Sequence, residues 1–286
     1  MLTPLGRDEQ PRPRPPRRPP DSLRQAYQQF LLERIEEYKN SLTREQLLEI
    51  GDEAVRELED SAGGQYLLTE VLLLEHVDRV IARRLKLPTF RRWQRSHRAL
   101  RQAQREPTHW GIAARHPLVS WARRLEPGDA TVVVGAQALP EALLLAAHDV
   151  HVFFVDQDLP AAEAAEQRAV TEQLGARFVS LVIQFGRWFP DVLPRLVVLA
   201  PPALAAARAK DRQALVKDLQ ARTLPGGAHV VLPAGDGPQV LSLASGGLPS
   251  AYAEAGWQIE RSKGKRGGFV AIKPSSQADT LLNVSE

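Results

Sequence analysis

The spacing of apolar residues divides this chain into two regions with different periods. Between residues 21 and 106, apolar side chains recur every third or fourth position, for example at Val77, Val80 and Ile81. This period predicts amphipathic α-helices. Thr43, followed three residues later by Gln46, predicts a capping box at the start of the second of four such helices. We therefore expect an all-α region here.

After His116-Pro117, short runs rich in β-branched residues alternate with helices rich in alanine and leucine. This alternation is typical of a parallel sheet wrapped by helices. The predicted strands are Thr131–Val134, His151–Val155, Phe178–Ile183, Arg195–Leu199, His229–Leu232, Gln258–Arg261 and Phe269–Ile272. No helix is predicted between the last two strands, so we expect them to form an antiparallel hairpin.

These patterns predict a fold class and its boundaries. The class is α/β, a Rossmann-like sheet of about seven strands with an all-α N-terminal domain. The predicted divisions are residues 1–20, a disordered tail rich in arginine and proline; 21–106, the helical domain; 107–274, the α/β domain; and 275–286, a second tail.

Composition narrows the class of protein further. A hydrophobic fraction of 43% in 286 residues is sufficient for a core. The absence of cysteine excludes disulfides, thiolate nucleophiles and thiolate metal ligands. No apolar run approaches the ~20 residues of a membrane helix, and the N-terminal sequence has no apolar secretion signal. We expect a cytoplasmic protein without a membrane span.

Basic residues are concentrated in one block. From Arg83 to Arg105 there are nine basic residues and no acidic one. Arg91, Arg95 and Arg98 share one face of a predicted helix at 88–105, because residues three and four apart are neighbours on a helix. One interpretation is that this face binds RNA or another anionic partner. The other is that the preceding acidic helices neutralise it, through residues such as Glu53, Glu57, Glu59 and Asp60.

Four motifs between residues 115 and 274 resemble those of class I S-adenosylmethionine-dependent methyltransferases. Leu125-Glu126-Pro127-Gly128 is similar to the lead into the first strand of that family, and Thr131 to Asp156 has its strand, turn, helix and strand. Leu224-Pro225-Gly226-Gly227 is similar to the turn before the fifth strand. Gly256-Trp257, followed by a basic hairpin, is similar to the sixth and seventh strands.

The resemblance implies S-adenosylmethionine as cofactor, with a degenerate binding motif. Gly135 matches the first glycine of the family's glycine-rich turn, whereas Gln137 and Leu139 replace the second and third. Asp156, which ends the second strand, is implied to bind the ribose hydroxyls. Gln184, after the third strand, is implied to face the adenine. A dinucleotide enzyme is a competing interpretation, but the turn lacks G-x-G-x-x-G as well.

The resemblance also implies where a substrate would bind. Family members that methylate amino groups carry a polar residue, two prolines and an aromatic residue after the fourth strand, where this chain has Ala200-Pro201-Pro202-Ala203. Amino methylation by that route is therefore not expected. His109 is the weak candidate for a general base. The candidate substrate-binding residues are Arg91, Arg95, Arg98, Lys263, Lys265 and Arg266.

Two hypotheses of function follow. The first is a methyltransferase with an unusual cofactor turn, acting on RNA or another anionic substrate. The second is a catalytically inactive relative, a pseudoenzyme, that serves as a scaffold or binding protein. No metal site is expected. Metal ligands on a helix must lie three or four positions apart to share a face, and around His76 only Glu75 and Asp78 have that spacing.

Overall fold

The computed structural model describes residues 22–62, 70–205, 207–233, 242–243, 246–261 and 268–275. The two predicted tails lie outside these ranges, apart from Ser275. The chain divides after Leu100 into two compact units. No helix within the described ranges is long and apolar enough to cross a membrane.

The first unit is helical. Its helices are α1 Leu23–Ser41, α2 Arg44–Ala62, α3 Glu70–Arg84 and the first part of α4 Phe90–Gln104. The predicted capping box is confirmed, because Gln46 Oε1 accepts the Thr43 N–H at 2.9 Å and Thr43 Oγ1 accepts the Gln46 N–H at 3.3 Å. A small core formed around Ile35, Ile50 and Ile81 holds these helices together.

The second unit is an α/β sandwich. Its helices are α5 Pro117–Ala122, α6 Leu139–Ala147, α7 Leu159–Thr171, α8 Pro201–Ala205, α9 Ala209–Arg222 and α10 Leu248–Glu254. Its strands are β1 Ala130–Val134, β2 His151–Asp156, β3 Phe178–Val182, β4 Leu196–Leu199, β5 Ala228–Val231, β6 Ser242–Leu243, β7 Gly246–Gly247, β8 Gln258–Arg261 and β9 Phe269–Ile272.

Seven strands form one sheet in the order β3-β2-β1-β4-β5-β9-β8. Strands β1 to β5 are parallel, and β9 runs antiparallel between β5 and β8. The predicted terminal hairpin is therefore confirmed. The two-residue ladder β6–β7 was not predicted, because strands of that length leave no periodicity in the sequence.

Side chains alternate between the two faces of the sheet, as strand geometry requires. Val133 packs in a core with α6 and α7, while its neighbours Val132 and Val134 pack in a second core with α9 and α10. The predicted single helix from Ala203 to Arg222 is wrong, because α8 ends at Ala205 and α9 begins at Ala209. Helix α8, which begins directly after β4, brings Ala203 next to the turn that follows β1.

Candidate functional site

The turn after β1 begins at Gly135, which adopts φ 97° and ψ 142°. A side chain rarely tolerates this positive φ, so glycine is required by the backbone alone. The Gly135 N–H donates to the carbonyl of Val155 at 3.0 Å, which ties the turn to β2. Residues Ala136–Ala138 then form a short 3-10 helix that leads into α6.

The turn lies at the point where the strand order reverses, since β2 is on one side of β1 and β4 is on the other. Ligands of open α/β sheets bind in the crevice at this switch point. Here α8 packs against the turn: a Cβ on Gly135 would lie 2.4 Å from Ala203 Cβ and 3.2 Å from Ala200 Cβ. Two alanine methyl groups therefore lie close to Gly135 on the β4 side.

Asp156 ends β2 and is only 8% exposed. Its Oδ2 accepts the N–H of Ala136 at 2.8 Å, while Oδ1 accepts the N–H groups of Gln157 at 2.7 Å and Asp158 at 3.0 Å. A carboxylate offers about four acceptor positions, so three are occupied by the backbone. Asp156 thus fastens the β1 turn to the end of β2.

Asp158 lies at the start of α7, where an aspartate commonly caps the helix. It occupies the N-cap position, but its side chain makes no capping hydrogen bond. Its own N–H instead donates to Asp156. The polar side chain that organises this loop is therefore the one at the strand end.

Of the remaining candidates from the sequence, Gln137 belongs to the turn itself, and its Oε1 would lie 3.4 Å from a Cβ on Gly135. Gln137 is exposed, and Val133, which replaces the family's acidic residue, is fully buried. Gln184 is exposed, and its main-chain carbonyl accepts the Arg187 N–H at 3.1 Å. His109 is exposed and meets Trp110 edge-on, with ring centroids 4.6 Å apart. Among the described residues, no hydrogen bond joins Gln184 or His109 to the turn.

The residues present fit an S-adenosyl group in part. Asp156 keeps one acceptor position on Oδ2, which suits a ribose hydroxyl, and Gly135 presents no side chain. On the β4 side, the Ala203 methyl group lies against Gly135 and leaves no room for a side chain at position 135.

Comparison with known proteins gives matches to solved structures alone. No protein-family model matches the chain, and no curated protein matches it. An O-methyltransferase family protein from Burkholderia thailandensis aligns over 56% of this chain and 56% of its own length, with 17% identity and a TM-score of 0.42. A putative rRNA-methylase from Clostridium thermocellum aligns over 57% of this chain and 99% of its own, with 12% identity and a TM-score of 0.42.

The N-methyltransferase NodS from Bradyrhizobium japonicum WM9, solved with S-adenosyl-L-homocysteine, aligns over 56% of this chain and 90% of its own. The identity is 14% and the TM-score 0.41. The chain spans about half the length of the Burkholderia protein and of the mitomycin 7-O-methyltransferase MmcR, 56% and 49% respectively.

The sheet has the class I methyltransferase fold. This assignment rests on the sheet itself, namely its seven-strand order and the antiparallel β9. A helical N-terminal region precedes that sheet, as the sequence predicted.

The basic block falls into two groups in this methyltransferase-fold protein. Arg83 pairs with Glu53 and Glu57, and Arg84 pairs with Glu53. Because of these pairs, the pKa of Glu53 is lowered, mainly by its hydrogen bond with Arg84. For this first part of the block, the structure has the neutralisation that the adjacent acidic helix suggested.

The second group is exposed. Arg91, Arg92, Arg95 and Arg98 project from α4, and none of them forms an ion pair with another described residue. Further along, Arg105 donates to Asp149 Oδ2 at 2.6 Å and to the Ala147 carbonyl at 3.1 Å. Arg105 is exposed like the other arginines, but it differs from them in being ion-paired. Lys263, Lys265 and Arg266 lie outside the described residues.

A buried polar cluster in the α/β unit was not predicted from the sequence. His229 of β5 is fully buried; its Nε2 lies 2.7 Å from Thr223 Oγ1 and its Nδ1 lies 2.7 Å from the Tyr252 hydroxyl. The ring also meets Trp257 at 4.6 Å between centroids. A lone histidine in a β-rich run gave no signal, because the local pattern of apolar residues does not indicate that Thr223, six positions earlier, and Tyr252, 23 positions later, would meet its ring.

The direction of these hydrogen bonds follows from Thr223, whose hydroxyl donates to the Leu219 carbonyl at 2.7 Å. A hydroxyl has one proton, so Thr223 Oγ1 can only accept from His229. His229 therefore carries its proton on Nε2, and its Nδ1 accepts from the Tyr252 hydroxyl. Burial, with a smaller effect from the charge of Lys273, lowers the pKa of His229 to about 3, so the ring is neutral.

Proposed function

We propose that this protein is a binding protein built on the methyltransferase fold that does not transfer a methyl group. The observation that carries the proposal is the contact of Gly135 with two alanines that follow β4, namely Ala200 and, on α8, Ala203. Methyl transfer depends on holding a substrate atom in line with the sulfonium methyl. That arrangement needs an open crevice between β1 and β4.

The occupation of Asp156 supports the same proposal. Three of its acceptor positions hold backbone N–H groups, so its carboxylate already has a structural role. Ala200 and Ala203 also stand where amino-methylating relatives carry a polar and an aromatic residue. Two of the positions that serve chemistry in such relatives thus hold methyl groups, which neither polarise nor stack on a substrate.

The test is calorimetry with S-adenosylmethionine and S-adenosylhomocysteine at millimolar concentration. We expect no heat of binding when either ligand is titrated into the natural chain. Ala203→Gly removes the methyl group that abuts Gly135, whereas Ala205→Gly makes the same change at an exposed position of α8. Heat with Ala203→Gly and none with Ala205→Gly would support closure of the crevice by Ala203.

The second candidate function is S-adenosylmethionine-dependent methyl transfer. The observation in its favour is that Gly135 and Asp156 occupy adjoining positions at the carboxyl ends of β1 and β2, with one acceptor position left on Asp156. Saturable binding of S-adenosylhomocysteine by the natural chain would overturn the first proposal. Binding that Asp156→Asn weakens would support the second.

We further propose that the exposed arginines of α4 bind the phosphate backbone of RNA. Arg91, Arg95 and Arg98 lie at i, i+4 and i+7, which places them on one side of the helix at a rise of ~1.5 Å per residue. Each is exposed and without a carboxylate partner among the described residues. Arginines free of internal pairing can replace the counterions of a polyanion.

The test is RNA binding as a function of salt. Arg91→Gln, Arg95→Gln and Arg98→Gln combined should reduce the slope of log affinity against log salt by up to ~2, since each phosphate neutralised on a single strand adds about 0.7. The matched control combines Arg34→Gln, Arg56→Gln and Arg79→Gln, which remove three exposed arginines already bonded within their own helices. An equal reduction of the slope in both would contradict the proposal, as would preference for an acidic peptide over RNA.

A further inference from the structure

Strand β3 forms one edge of the seven-stranded sheet, and β8 forms the other. Natural proteins protect sheet edges with charged residues or proline, because an unprotected edge pairs with another chain. Residues Gln258–Arg261 of β8 include Glu260 and Arg261. Residues Phe178–Val182 of β3 have the sequence FVSLV, without a charge or a proline.

The region around β3 is also where apolar side chains are exposed. The structure has six large exposed apolar side chains in the described part of the α/β unit, and all of them lie between residues 159 and 193. They are Leu159, Val170, Val179, Val182, Trp188 and Leu193. Val179 and Val182, on β3 itself, are 41% and 46% exposed. Because they are three positions apart on a strand, these two side chains lie on opposite faces of the sheet, so the edge has an exposed apolar side chain on each face.

Alternate residues of β3 direct their backbone N–H and C=O groups away from the sheet. The Ile183 N–H donates to the Asp156 carbonyl at 2.9 Å, which means that residue 183 faces β2. Because successive residues of a strand face opposite sides, Ser180 and Val182 direct their N–H and C=O groups away from the sheet. Phe178 directs its carbonyl the same way, while its N–H is bonded to Gly175.

We propose that β3 pairs antiparallel with β3 of a second copy of this chain, about a twofold axis at Ser180. In that register each Ser180 N–H donates to the other Ser180 carbonyl, and each Val182 N–H donates to the Phe178 carbonyl of the other strand. Val179 then lies opposite Leu181 of the second copy, so the cross-strand pairs on this face are apolar. A strand that is its own complement fits an isologous interface.

Charge and area favour a second copy as the occupant. Because β3 carries no charge, antiparallel pairing with itself brings no like charges together. Two short strands bury less than the ~800 Å² per partner of a stable dimer. The exposed side chains of Val179 and Val182 on β3 itself supply part of the further area that a stable dimer requires.

The first test measures the mass of the full chain by light scattering after size exclusion. We expect a dimer at micromolar concentration. Val182→Pro removes the outward N–H without removing a hydrogen bond to β2, and proline is tolerated on an edge strand. We expect this variant to be a monomer. Val182→Thr keeps that N–H and should remain dimeric. A monomeric natural chain, a dimeric proline variant or a monomeric threonine variant would each overturn the proposal.

The second test does not depend on the folding of the proline variant. Because the chain has no cysteine, Val179→Cys introduces a single thiol per chain, and a thiol-specific cross-linker can join it only to the same thiol of a second chain. In the proposed register the two thiols are diagonal neighbours, about 7–8 Å apart, within reach of a short bismaleimide. We expect a covalent dimer there and none with Leu32→Cys, at a comparably exposed position on α1. Absence of a covalent dimer at position 179 would overturn the pairing.

Discussion

Asp156 and His229 are both buried polar residues of one sheet, yet they are satisfied in different ways. All three partners of Asp156 are backbone N–H groups of the turn and loop beside it. His229 instead bonds to two side chains, Thr223 after α9 and Tyr252 of α10. The first arrangement builds a local turn, while the second joins β5 to two helices. The comparison shows that buried polar side chains in this unit have two structural roles, which are to fix a turn and to join separate elements of the fold.

Removal of His229 should have the largest effect on stability. His229→Ala leaves the Tyr252 hydroxyl without an acceptor and empties the space beside Trp257, so we expect a loss of about 3–5 kcal/mol in the free energy of unfolding. Chemical denaturation measures it. His151→Ala, on β2 and half-buried, is the matched control and should lose less than half as much. Equal losses would show that the His229 cluster adds nothing beyond packing.

Acid should weaken the His229 cluster next. In the folded protein the pKa of His229 is about 3, against 6.5 for an ordinary histidine. The unfolded chain therefore binds a proton below pH 6.5 that the folded chain does not, and this contribution to stability is present above pH 6.5 and is lost as the pH falls toward 3. The slope is about 1.4 kcal/mol per pH unit.

Unfolding of the natural chain and of His229→Gln, measured between pH 7 and 4.5, checks this dependence. Glutamine does not titrate, so the difference between the two proteins should shrink by about 3 kcal/mol over that range. A constant difference would mean that His229 titrates normally.

Asp156 should show a smaller effect that depends on geometry. Asp156→Ala leaves the N–H groups of Ala136, Gln157 and Asp158 without their acceptor, and we expect a loss of about 1.5–3 kcal/mol, the value of a hydrogen bond to a charged group. Asp156→Asn keeps one acceptor oxygen and should lose about half of that. If both variants were as stable as the natural chain, Asp156 would be free for a ligand rather than engaged in the turn.

Much of the α/β unit could be predicted from the sequence, because most of its strands and helices have a local pattern of apolar residues. The apolar run Thr131–Val134, the helix after Pro140 and the acidic end of β2 recur in the structure in the predicted order. The terminal hairpin was predictable because no helix separates its strands. The split between α8 and α9 was not, since alanine-rich residues 203–208 favour a helix throughout.

The positions of Gly135 and Asp156 along the chain could be read from the sequence, but the contacts that they make could not. The sequence determined that Gly135 follows the first strand of the α/β unit and that Asp156 ends the second, since each strand has its own local apolar pattern. Tertiary structure alone decided that Ala203 touches Gly135, that Asp156 is engaged by three backbone groups and that His229 meets Tyr252. The physical reason is that the decisive contacts, Asp156 with Ala136, His229 with Tyr252 and Gly135 with Ala203, join residues 20 to 68 positions apart. Sequence periodicity describes only which face a residue occupies, not which distant residue it meets.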